Sequence, residues 1–251
     1  MKTVLITGAS SGIGYALSKI YAKNSYNLIL VARREEKLKN LKESLEKTYS
    51  VSAIIEIMDL SKIENLKILS EKYKDIDILI NNAGFGQYGE FHSYDLETDI
   101  SMINLNILTP IILTKLFAVN MKNGSKIINI ASTAGFQPVP LMATYSATKS
   151  FIVDFTLAIQ REYSNINISL FCPGETQTEF QQIAKRPKSS ILRGYIPTAE
   201  EVAQYFYNSE QANKSFVIYG FYNKFLIFIS RFFNKRILAY FLSKNQKKVG
   251  N

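Results

Sequence analysis

A short apolar run, Val4-Leu5-Ile6, leads into Thr7-Gly8-Ala9-Ser10-Ser11-Gly12-Ile13-Gly14, and Ile13, Leu17, Ile20 and Tyr21 then recur at helical spacing. Strand, glycine-rich turn and helix in that order build an anion site. Helix N-terminal N–H groups point outward with partial positive charge, and glycines let a pyrophosphate come close. The turn therefore predicts dinucleotide binding through Gly8, Ser10, Ser11, Gly12, Ile13 and Gly14. Its spacing is Gly-x-x-x-Gly-x-Gly, which differs from the commoner Gly-x-Gly-x-x-Gly fingerprint.

The bulk composition sets few further limits. A chain of 251 residues, 47% hydrophobic and 20% charged, suits one α/β domain with a full core. Cys172 and His92 are the single cysteine and histidine, so neither an internal disulfide nor a His/Cys zinc site is expected. No other metal site is expected either, and Cys172 reads as a small buried hydrophobe. Met1-Lys2 runs straight into the first strand without a leader pattern, and no uninterrupted apolar stretch suggests a spanning helix. A cytoplasmic location is the resulting expectation. The net charge of +9 is uneven: Lys224, Arg231, Lys235, Arg236, Lys244, Lys247 and Lys248 give residues 215–251, which lack acids, +7, leaving +2 for residues 1–214. A nearly neutral body argues against nucleic acid as a partner.

Along the chain, apolar strands end repeatedly at residues fit to touch a ligand. Leu28–Ala32 ends at Arg33-Arg34, where an acid would take the 2′-hydroxyl of NAD and an arginine the 2′-phosphate of NADP. NADP(H) is therefore expected over NAD(H), with Arg33 foremost and Arg34 its support, unless the pair merely solvates a loop. Glu35 to Glu46 reads as an amphipathic helix. Ala53–Met58 ends at Asp59-Leu60, and Asp59 could cap the next helix through Ser61. Ile76–Ile80 ends at Asn81-Asn82-Ala83-Gly84, small residues and amides that permit close backbone approach, although a plain turn would use them too. Leu96–Val119 reads as one long helix bent at Pro110, carrying Asn104 and Asn106, and a buried amide on it needs partners. Lys126–Ala131 ends at Ser132, and Tyr145-Ser-Ala-Thr-Lys149 puts a phenol and an ammonium on one helix face. Five clear strand–helix alternations and two more strands, Ile166–Phe171 and Ser215–Gly220, predict a doubly wound, mostly parallel seven-stranded sheet with helices on both faces.

Taken together and in order, these motifs resemble the short-chain dehydrogenase/reductase family in its one-domain form, over roughly residues 3–205. The resemblance implies a Rossmann-type fold and an NADP(H)-dependent carbonyl/alcohol oxidoreductase. Tyr145 would be the general acid/base, Ser132 would orient the substrate oxygen, and Lys149 would tune Tyr145 and hold the nicotinamide ribose. Asn106 would position a water in the proton relay. Asp59 and Leu60 would meet the adenine, Asn82, Ala83 and Gly84 the cofactor, and Pro173, Gly174, Thr176 and Thr178 its nicotinamide end. Many relatives are homodimers or homotetramers. A non-catalytic dinucleotide sensor on the same fold is the alternative, although it would not need Ser132, Tyr145 and Lys149.

Two segments remain. Residues from about 175 to 200 are polar and read as a substrate loop or lid within a domain of residues 1–222. Residues 223–251 mix aromatic and aliphatic side chains with the cations in two short helical stretches. This tail could pack on the body, cover the active site or a subunit partner, or lie on an anionic membrane. Apolar residues in the loop and tail suggest a fairly apolar small-molecule substrate.

Overall fold

Strands that are apolar on both faces need cover on both sides, and this chain supplies it with helices. The computed structural model describes residues 1–185 and 195–247. Among these, the strands are β1 (Thr3–Thr7), β2 (Asn27–Ala32), β3 (Ala53–Ile57), β4 (Ile78–Asn81), β5 (Lys126–Ile130), β6 (Asn167–Cys172) and β7 (Phe216–Ile218). They pair in the order β3-β2-β1-β4-β5-β6-β7. Every pair is parallel, where the sequence suggested only a mostly parallel sheet. This is a Rossmann-type doubly wound sheet, whose order reverses between β1 and β4.

The helices are α1 (Gly12–Lys23), α2 (Glu35–Thr48), α3 (Ile63–Lys72), α4 (Leu96–Ile103), α5 (Thr109–Ala118), α6 (Ala143–Ile159), α7 (Phe180–Ile183), α8 (Ala199–Gln211), α9 (Phe221–Ser230) and α10 (Lys235–Lys247). Alternation along the strands sorts the core into two layers. Val4, Ile6, Leu28 and Leu30 pack against Leu17 and Tyr21 of α1, Leu38 and Leu41 of α2, and Phe206 of α8. Leu5, Ile29 and Val31 face the other way, toward Leu66 and Leu69 of α3 and Leu113 and Phe117 of α5.

The long helix is interrupted differently from expectation. Between α4 and α5 the chain makes a π-helical segment, Asn104–Leu108. Pro110 has no N–H for the carbonyl four residues back, which belongs to Asn106, so the helix widens ahead of the proline. The whole run Leu96–Ala118 is long and apolar enough to cross a membrane, contrary to the sequence reading. Met102, Leu113 and Phe117 on it are nonetheless fully buried, as in a core helix. Of the expected lid, residues 186–194 lie outside the described residues, as do residues 248–251 of the tail.

Candidate active site

The carboxyl ends of the strands open into one cleft of about 850 Å3 at the point where the strand order reverses. Gly8 follows β1, Arg33 follows β2, Asp59 follows β3, Ala83 follows β4, Ser132 follows β5 and Pro173 follows β6, and all six line it. Ser10, Ser11, Gly12, Ile13, Arg34, Leu60, Asn82, Gly84, Tyr145, Lys149, Gly174, Thr176 and Thr178 do so too. Of the residues singled out from sequence, Gly14 and Asn106 lie behind the wall instead.

The glycine turn is a cradle with no room for side chains. Gly8 has φ +68° and Gly12 φ +55°, the left-handed region that glycine adopts without strain. A Cβ on Gly14 would stand 2.5 Å from both the Gly8 carbonyl and Asn82 Nδ2. Asn82 Nδ2 donates to the carbonyls of Thr7 (2.9 Å) and Gly8 (3.3 Å), pinning the turn to the end of β4. The Thr7 hydroxyl accepts from the backbone N–H groups of Asn82 and Ala83, at 2.9 and 3.0 Å. A backbone cradle opening a helix suits the pyrophosphate of a dinucleotide.

Around the reacting end, Ser132 caps the 3-10 turn Thr133–Phe136, its Oγ accepting from the Ala134 N–H at 3.1 Å. Tyr145 and Lys149, one turn apart on α6, are both buried, with Lys149 Nζ 5.9 Å from the Tyr145 ring centre. Lys149 donates to the Ile130 carbonyl at 3.0 Å. Asn106 is committed inside the protein: Oδ1 accepts from the Phe85 N–H at 3.1 Å, and Nδ2 donates to the Phe85 carbonyl (2.9 Å) and Thr148 Oγ1 (3.0 Å). Thr148 Oγ1 in turn donates to the Tyr145 carbonyl at 2.7 Å.

A family model described as short chain dehydrogenase matches residues 2–188. The chain belongs to that family. It is 34% identical over 219 residues to the NADP-dependent 3-hydroxy acid dehydrogenase of Schizosaccharomyces pombe, covering 81% of this chain and 84% of that one. It is 36% identical over 194 residues to very-long-chain 3-oxoacyl-CoA reductase-A of Danio rerio, covering 73% of this chain and 61% of the relative. The match thus spans about three-fifths of that longer protein. A short-chain dehydrogenase from Sphingobium yanoikuyae, solved in complex with NADPH, superposes with a TM-score of 0.80 at 28% identity over 87% of both chains.

The electrostatics of this short-chain dehydrogenase divide the two arginines. Arg34 is occupied, donating to Ser10 Oγ from Nε (3.1 Å) and Nη2 (3.0 Å) and from Nη1 to Glu179 (2.6 Å). Arg33 is exposed and, among the described residues, makes no ion pair. Asp59 does not cap α3, whose N-cap position is Lys62. Its Oδ1 accepts instead from the N–H (3.1 Å) and hydroxyl (2.8 Å) of Ser61, closing a turn two residues on. Burial would raise the Asp59 carboxyl, but these bonds and the nearby Arg33 guanidinium hold it below the usual range. Burial pushes the Lys149 ammonium down to about 8, against a smaller opposing effect of Cys172. The same burial drives the Cys172 thiol well up, so it remains a packing residue.

Sequence reasoning placed the segment after Thr178 in a substrate loop but missed the contacts that Glu179 and Phe180 make. A Cβ on Gly12 would come within 3.2 Å of Thr178 Cγ2. Glu179 bridges Arg34 and Lys37, whose hydrogen bonds, Lys37 foremost, hold its carboxyl down to about 2. Phe180 packs on Tyr145 with ring centres 5.1 Å apart. Gly86 makes room for that pair, since a Cβ there would fall 2.7 Å from Phe180 and 2.9 Å from Tyr145. Contacts this distant in sequence leave no local pattern to read.

Proposed function

We propose that this short-chain dehydrogenase interconverts a carbonyl and an alcohol, with NADP(H) as its cofactor. The observation that carries the reading is Tyr145 and Lys149, both buried, facing a cleft rimmed by the glycine cradle. When bound, NADP(H) would supply or accept the hydride. A phenol titrating near ~10 is a poor acid/base at neutral pH, and a neighbouring ammonium favours phenolate. Tyr145 therefore gives the proton to the substrate oxygen in reduction and takes it in oxidation. Ser132 orients that oxygen, and Lys149 tunes Tyr145 and holds the nicotinamide ribose. Asn106, its amide already engaged, acts as a positioning residue that ties Phe85 to Thr148 and the Tyr145 turn, rather than holding the relay water by its side chain. Asp59 and Leu60 take the adenine, and Pro173, Gly174, Thr176 and Thr178 back the nicotinamide end.

A pH dependence follows from Lys149. Its ammonium is complete well below about 8 and lost above it. kcat/KM, which reports groups of the unbound enzyme, is expected to fall for carbonyl reduction as pH rises through about 8. A profile flat across that pH rejects the tuning role.

Preference for NADP(H) rests on Arg33, exposed at the end of β2 with no competing ion pair among the described residues. Fluorescence titration is expected to give tighter binding of NADPH than of NADH. Arg33→Ala should weaken NADPH by roughly ten- to a hundredfold, the worth of a charge-assisted phosphate contact, and leave NADH unchanged. Tighter NADH binding by the parent protein overturns the preference but not the enzyme; binding of neither overturns both.

Val139, Met142, Phe180, Ile183 and Leu242 give the cleft an apolar side, so a fairly apolar substrate is proposed. The names of the yeast and zebrafish relatives make 3-oxo and 3-hydroxy acid derivatives the first compounds to screen. Exposed Ile100 and Ile103 on α4 and Phe151 and Leu157 on α6 offer apolar faces for a homodimer or homotetramer.

A further inference from the structure

The C-terminal pair of helices departs from the rule that an amphipathic helix hides its apolar face. Phe221, Phe225 and Phe228 stand at i, i+4 and i+7 on α9, and Phe232 follows at i+11, so they form one stripe. That stripe points outward: Phe221 is 84% exposed and Phe232 74%. On α9 only Ile227 and Ser230 are buried, and among the described side chains of α10 none is. Ile237, Tyr240 and Phe241 extend the apolar surface along α10, each about half exposed. Cations are interleaved with it, Lys224, Arg231, Lys235, Arg236 and Lys244, the last 4.8 Å above the Tyr240 ring. No acid occurs from residue 215 to the last residue given.

We propose that α9 and α10 form a docking surface for an anionic lipid bilayer, with the phenylalanine stripe entering the acyl boundary and the cations among the headgroups. An exposed apolar patch of this kind marks an interaction surface, and interleaved aromatic and basic residues suit the interface of a charged membrane. A second copy of the chain fits worse. A twofold interface sets a patch against itself, so cations would meet cations with no acid in the patch to pair them. Single-stranded nucleic acid needs a basic groove lined with stacking platforms. Here the rings stand on the outward side of a helix. The surface also adjoins the cleft. Leu242 of α10 lines the cleft, and Gly174 lies so close to Asn223 of α9 that a Cβ would come within 2.4 Å of its Nδ2.

The test is co-sedimentation of the full chain with vesicles of phosphatidylcholine alone or of equal parts phosphatidylcholine and phosphatidylserine. Binding is expected to the mixed vesicles, with little to the neutral ones, and to weaken with salt. Lys235→Glu/Arg236→Glu should cut it by more than about tenfold. Phe228→Ser/Phe232→Ser should cut it comparably, with the melting temperature and NADPH affinity of both variants kept. Failure of the parent protein to sediment with the mixed vesicles overturns the proposal. So does vesicle binding that both variants retain, or a dimer that both variants dissociate in the ultracentrifuge while vesicles never bind. Capture of single-stranded RNA in place of vesicles overturns it too. Because NADPH affinity is read separately, this surface can fail without touching the proposed reaction.

Discussion

Replacing Tyr145 by phenylalanine is expected to cut kcat for carbonyl reduction by ~10²–10⁴-fold, the usual worth of a positioned acid/base. Phenylalanine preserves what the ring does structurally. It keeps the contact with Phe180 at 5.1 Å and fills the space that Gly86 leaves. The hydroxyl alone is lost, so NADPH affinity and thermal stability should stay as in the parent. Single-turnover mixing with saturating NADPH separates these effects. A variant that turns over within about threefold of the parent assigns the proton transfer elsewhere, while one that also loses NADPH binding points to a structural role.

The second large effect is expected at Gly14, which lies behind the wall of the cleft. An alanine there puts a methyl group 2.5 Å from the Gly8 carbonyl and from Asn82 Nδ2. Gly8 sits where β1 ends, its N–H donating to the Val31 carbonyl at 2.8 Å, so its backbone has little room to move. Asn82 could move only by giving up its bonds to Thr7 and Gly8. Either way the cradle opens, and NADPH affinity should fall about a hundredfold, equivalent to ~3 kcal/mol. Gly124→Ala is the control: unlike Gly14 it has a positive φ, +83°, and a Cβ there meets nothing within 4 Å. That variant carries backbone strain without a clash and should bind NADPH normally. Equal losses in the two variants would show that general destabilisation, not steric contact with the cradle, governs the effect.

The strands and their ligand-bearing ends were legible because parallel strands buried on both faces read as unbroken Val/Ile/Leu runs. Each of the first four expected strands lies within two residues of its observed bounds; β4, for instance, starts at Ile78 rather than Ile76 and takes in Asn81. The glycine spacing and the Tyr145–Lys149 pair were legible for the same local reason. What could not be read was whatever depends on distant partners. Asn106 was visible as an amide needing bonds, yet its partners Phe85 and Thr148 come from a loop and another helix. Pro110 announced a break, but the π-helical segment lies before it, because the missing N–H is felt four residues back. Helix α8 went unread despite a local signal: Thr198 and Glu201 form a reciprocal capping box. The tail was legible as basic and aromatic, but only the fold tells which of its rings remain uncovered.

Thr178, Glu179 and Phe180 are consecutive, yet they touch the glycine turn, the start of α2 and the ring of Tyr145 in turn. These three contacts are therefore mechanically one: a peptide segment this short cannot shift at one residue and stay put at the next. The Glu179 bridge is half exposed, of a class worth ~0–1 kcal/mol and screened by salt. The glycine turn, the start of α2 and the Tyr145 ring thus all bear on one three-residue segment, so that a change at Glu179 is felt at both ends of the cleft.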